Sequence, residues 1–202
     1  MKNNRVYMQI GAADRREDFK LWYADGDEFL TVTKEDWSDE RCRTEIYNRF
    51  GGQMARIKPD PKNMTYNVGV ERYEYELHTY MLFEHYFFKG MLWDIQGSLQ
   101  DLQMDFRNEG TGKLDVRIST VKFKDKGRCH EIKVKDLSKL RIAACCVIAM
   151  ALKESYKSVS EGEPVEDEKF WRKWKRMVFG SKGITFEEIE AMREQRDSGA
   201  SE

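Results

Sequence analysis

Residues 140–155 read LRIAACCVIAMALKES, and from Ile142 to Leu152 there is no polar side chain. The surrounding chain has 202 residues, 35% of them charged. Such a segment is either a membrane span or something the protein hides. As a helix, this run is about 16 Å long, against a hydrocarbon layer of about 30 Å. Lys139 and Arg141 stop it on one side, Lys153 and Glu154 on the other. It is too short to span. Alanine, methionine and leucine favour a helix, and Asp136 or Ser138 supplies an N-cap. A helix apolar all round has to be enclosed on every side. Burying Ile142, Cys146, Val147, Ile148, Met150 and Leu152 contributes on the order of 10 kcal/mol, comparable to a whole net folding stability.

What precedes the helix reads as strand and turn. FKLWYADGDEFLTV is a hairpin about Asp25–Gly26, RTEIYNRFGGQMARI another about Gly51–Gly52, and MDFRNEGTGKLDVRI a third about Gly110 and Gly112. MTYNVGV, RYEYELHTY, HYFFKG and LWDIQGSL lie between them. STVKFKDKGRCHEIKVKD closes the series, with Val121 and Phe123 expected on one face and Lys122 and Lys124 on the other. About twelve short strands predict a mainly β fold, a sandwich or barrel. A closed sheet of that size has a lumen that side chains alone do not fill, and the apolar helix would plug it.

DGDEFLTV, EIYNRFGGQMARI, HYFFKGMLWDIQGSL and DFRNEGTGKLDVRIS, followed by the lysine-rich hairpin and the apolar helix, together resemble the tubby-like superfamily. The branch most similar is the LURP-one-related one, with phospholipid scramblases and tubby as distant kin. The likeness covers roughly residues 5–155 and includes a W-x-I-x-G element at Trp93, Ile95 and Gly97. It implies a twelve-stranded antiparallel closed barrel wrapped around a central helix near 137–155, within a domain of residues 1–157.

Net charge is −1, so whole-molecule electrostatics draws the chain to neither nucleic acid nor acidic partners. Nucleic acid is therefore not an expected partner. Cys42, Cys129, Cys145 and Cys146 have neither disulfide-framework nor zinc spacing. The N-terminus has no long apolar run, and the expected location is the cytoplasm, free or peripheral to a membrane. No catalytic motif stands out, and no cofactor or metal is expected. His78, His85 and His130 fit no metal-protease spacing, RFGGQ and EGTGK read as turns, and ADGDE is a β-turn rather than a calcium loop. Inside an apolar helix the adjacent Cys145 and Cys146 behave as small hydrophobes of raised pKa.

Two basic features remain. Lys122, Lys124, Lys126, Arg128, Lys133 and Lys135 crowd the last hairpin; they form either a phosphate-binding face or a solvated sheet surface. Beyond a linker at 158–168 comes a helical tail, 169–202, whose Phe170, Trp171, Trp174 and Met177 share one helical face. Arg172, Lys173, Lys175 and Arg176 occupy the rest of that turn sequence. This suits an anionic membrane surface, a partner's groove, or packing on the barrel itself. The expectation is a non-enzymatic binding or tethering module, with a scramblase-like lipid-active protein or an enzyme of unrecognised site as the alternatives.

Overall fold

A computed structural model describes residues 4–60, 65–80, 85–101 and 103–160, without the side chains of Tyr80 and 157–160. The chain divides after Ser160, and everything that follows lies outside the described residues. The strands are β1 (Arg5–Gln9), β2 (Phe19–Tyr23), β3 (Glu28–Lys34), β4 (Thr44–Asn48), β5 (Gln53–Asp60) and β6 (Thr65–Val70). They continue as β7 (Tyr73–Tyr80), β8 (His85–Lys89), β9 (Trp93–Gln96), β10 (Gln103–Asn108), β11 (Leu114–Lys122) and β12 (Arg128–Val134). A helix, α1 (Leu140–Ser160), follows.

Each strand pairs antiparallel with its neighbours in sequence, and β1 closes the ring against β12. The seam is in register over its whole length, from Arg5 opposite Lys133 to Gln9 opposite Cys129. Closure satisfies every edge that an open sheet would leave unpaired. The W-x-I-x-G element has a structural reason. Trp93 and Ile95 are fully buried, and Gly97 turns the chain at φ +99, where a Cβ would strike the Asp101 carboxylate. That carboxylate is already committed to the Ser98 backbone N–H at 2.8 Å.

Asp136 accepts the Ser138 N–H at 3.0 Å and starts a 3-10 turn over Leu137–Lys139, from which α1 proceeds. The helix continues to Ser160, past the point where linker composition begins. Residues Ala143 to Met150 are at most 1% exposed and share one core cluster with Leu21, Val32, Ile57, Phe88 and Ile132 of the strands. Ile142, expected to be fully buried, is half-buried against the edge of that cluster. The helix lies close to β5 and β6 and also to β12. β6 and β12 stand six places apart in the ring of twelve.

The last hairpin departs from simple alternation. β11 stops at Lys122, and Lys124–Lys126 form a 3-10 turn. Val121 and Phe123 do share a side, but it is the outer one, in a satellite cluster with Tyr7, Cys129 and Trp22. The Phe123 ring stacks on Tyr7 at 3.9 Å, and the Lys126 ammonium lies 5.3 Å from the Trp22 ring centre.

Candidate functional site

A cleft of about 1000 Å³ opens among three hairpin tips and the segment leading into α1. The β4–β5 tip carries its most prominent side chain. Asn48 Oδ1 accepts the N–H groups of Phe50 at 2.9 Å and Gly52 at 3.0 Å, and the turn so pinned leaves Phe50 81% exposed. The Arg49 guanidinium lies 4.7 Å from the Phe50 ring centre and 3.3 Å from Asp27 Oδ2. Tyr73, at the start of β7, is 54% exposed, and Leu137, before α1, is 38% exposed. All three line the cleft, whose floor includes Leu30, Met54 and Ile142.

The ionised groups of the rim answer one another. Arg141 binds Glu71 at 2.6 Å, and Lys20 binds Glu28 at 2.6 Å. Bonds from Lys20 and Thr31 hold the Glu28 carboxyl below its usual range, and the Ser138 N–H does the same for Asp136. Lys124 donates to the carbonyl oxygen of Asp25. With these charges largely paired, the rim presents its aromatic and aliphatic surface to whatever enters.

The cations of the last hairpin are distributed over different faces. Lys122 is directly opposite Arg128, on the face shared with Ile118 and Ile132, and both are exposed. Lys124 and Lys126 are engaged at the 3-10 turn, Lys126 also with Asp125 at 3.0 Å. Lys133 lies on the opposite face, between Arg5 of β1 and Arg117 of β11. Lys135 follows the strand, its N–H on the Asp115 carbonyl at 3.0 Å. Arg117 belongs to the same hairpin as the lysines, whereas Arg5 is remote in sequence, and strand register sets both beside Lys133. Phe50 did carry a local signal: an aromatic residue at the apex of a turn, where polar residues are the rule.

Tail residues Phe170, Trp171, Arg172, Lys173, Trp174, Lys175, Arg176 and Met177 lie outside the described residues. Among the described residues no three histidines, cysteines or carboxylates gather as metal ligands, and no helix is long and apolar enough to cross a membrane. Burial pushes the Cys145 thiol up to about 12 and that of Cys146 well above its ordinary value, so neither is a ready nucleophile.

The fold therefore defines a class: a closed, twelve-stranded antiparallel barrel with a C-terminal helix. No family model matches the sequence, and neither does any curated protein. A protein of Arabidopsis thaliana solved by X-ray crystallography is similar in structure, with a TM-score of 0.52 at 12% identity. The match covers 73% of this chain and 90% of that one, and at such identity it speaks for the fold alone.

Proposed function

We propose that the chain is a non-enzymatic binding module of the tubby-like, LURP-one-related type, acting in the cytoplasm and docking a protein partner in the cleft beside α1. In this reading α1 plugs the barrel. Its burial and its closeness to strands on opposite sides of the ring support that. A lumen so filled makes the barrel a rigid support, and binding then belongs to its outer surfaces.

The observation that carries the proposal is the clustering of exposed apolar side chains. Ile10, Phe50, Tyr73, Leu92 and Leu137 are the exposed large hydrophobics among the described residues, and three of the five line this cleft. Exposed apolar groups scattered singly need no explanation, whereas a contiguous patch marks an interaction site. Aromatic anchors in a concave setting are the usual centres of binding energy.

The test is quantitative affinity purification with the full chain and with a Phe50→Ala, Tyr73→Ala double variant. Both side chains are exposed, so the variant keeps the stability of the parent. A partner recovered by the parent, shown to bind directly once purified, and lost by the variant is the expected result. Equal recovery by both proteins overturns the cleft as the docking site.

A further inference from the structure

A second surface, on the outer wall of β10, β11, β12 and β1, carries a different signature. Asp105 is opposite Arg117, Arg117 opposite Lys133, and Lys133 opposite Arg5, so register lays three consecutive cations across adjoining strands. Residues directly opposite in antiparallel strands lie about 5 Å apart on one face, and like charges placed so destabilise a sheet. Two acids relieve the outer members. Glu131 binds Arg5 at 3.0 Å, and Asp105 binds Arg117 at 2.8 Å and Arg107 at 2.9 Å. Lys133, in the middle, is in no ion pair among the described residues, and neither is the neighbouring Lys135.

The acids and cations also differ in depth. Glu131 and Asp105 are only 15% and 17% exposed, whereas the Arg5, Arg117 and Arg107 side chains are 39%, 44% and 53% exposed. The carboxylates lie beneath and the cationic heads project, so the wall is positive toward solvent despite the chain's net charge of −1. A row of cations relieved at its ends but not at Lys133 is the kind of local cost that functional surfaces retain. None of the exposed large hydrophobics belongs to these four strands, so the wall offers charge rather than apolar anchors.

We infer that this wall docks an acidic peptide segment of a partner protein, its carboxylates received by Arg5, Arg117, Lys133 and Lys135. Lys133 supplies the uncommitted charge at the centre, and the N–H groups that Arg5 and Arg117 do not spend on Glu131 and Asp105 flank it. The surface is separate from the cleft, and neither proposal depends on the other.

Fluorescence anisotropy of a short labelled glutamate-rich peptide, titrated with the full chain at low salt, tests the inference. Lys133→Glu should weaken binding about tenfold or more and raise the melting temperature, because the new carboxylate would sit between Arg5 and Arg117. Lys122→Glu makes the same change in net charge on another face and should leave affinity within about twofold. The Phe50→Ala, Tyr73→Ala variant should bind the peptide like the parent. Equal weakening by Lys133→Glu and Lys122→Glu would mean unspecific attraction and overturn the site. Absence of peptide binding overturns it too, as does a Lys133-dependent adsorption to phosphatidylserine vesicles without peptide binding.

Discussion

His130 sits 3% exposed in β12, between Met8 of β1 and Thr120 of β11. Burial, with a smaller contribution from Arg128, lowers its pKa from 6.5 to about 4, so the folded protein keeps the imidazole neutral. The unfolded chain protonates the same ring near pH 6.5, while the folded chain resists until about pH 4. Over that interval the unfolded state binds more protons, and stability falls as pH falls, by on the order of 3 kcal/mol. Urea unfolding of the parent and of His130→Gln at neutral pH and near pH 4.5 should show a smaller acid-side loss in the variant. A parallel loss in both would show that His130 is not buried neutral. The sequence could place this histidine in a strand, but not on the inner side of it, because Arg128, Cys129 and His130 offer no clean alternation at the strand's start.

At the scale of elements, Asp115 joins three parts of the fold. The Trp93 indole N–H of β9 donates to its Oδ2 at 2.9 Å, and Lys139 of the turn before α1 donates to the same oxygen at 2.6 Å. Burial pushes this carboxyl up, but the bonds from Lys139 and Trp93 outweigh it and hold the pKa below the ordinary value. Its stabilising contribution is therefore complete above the unfolded pKa and is lost as pH falls through the folded one. Asp115→Ala leaves a buried indole N–H and a lysine without this acceptor, and should cost about 1–3 kcal/mol. Equilibrium denaturation checks the value, and an unchanged midpoint would show the node to be dispensable. Trp93 was legible in the sequence as part of a motif. Its partner was not, since Asp115 reads as one more polar residue in a hairpin and the two are 22 positions apart.

Across the whole molecule, α1 and the strands share one hydrophobic core cluster, which predicts that they unfold as a single cooperative unit. Ile148 is fully buried in the shared core cluster. Ile148→Ala should cost about 2–5 kcal/mol. The loss should appear as a uniform drop in amide protection over the helix and over both β6 and β12 by hydrogen exchange. Loss confined to the helix would mean that the barrel stands without it. The sequence by itself determined what is local: an apolar run too short for a bilayer, the alternation of the strands, and the turns at Asp25–Gly26 and Gly51–Gly52. Each of these follows from the chemistry of neighbouring residues; the run and both turns appear where expected, whereas the alternation expected through Lys124 stops at Lys122, where a 3-10 turn takes over. The tertiary structure alone decided the β1–β12 seam, the gathering of Phe50, Tyr73 and Leu137 about one cleft, and the row Arg5–Lys133–Arg117. The seam and its Arg5–Lys133 pair join segments more than 100 residues apart, Arg117–Lys133 depends on the register of one hairpin, and the cleft depends on which hairpin tips meet in space. The physical reason is that side-chain period is a property of a single strand, whereas a shared surface is a property of how strands are paired.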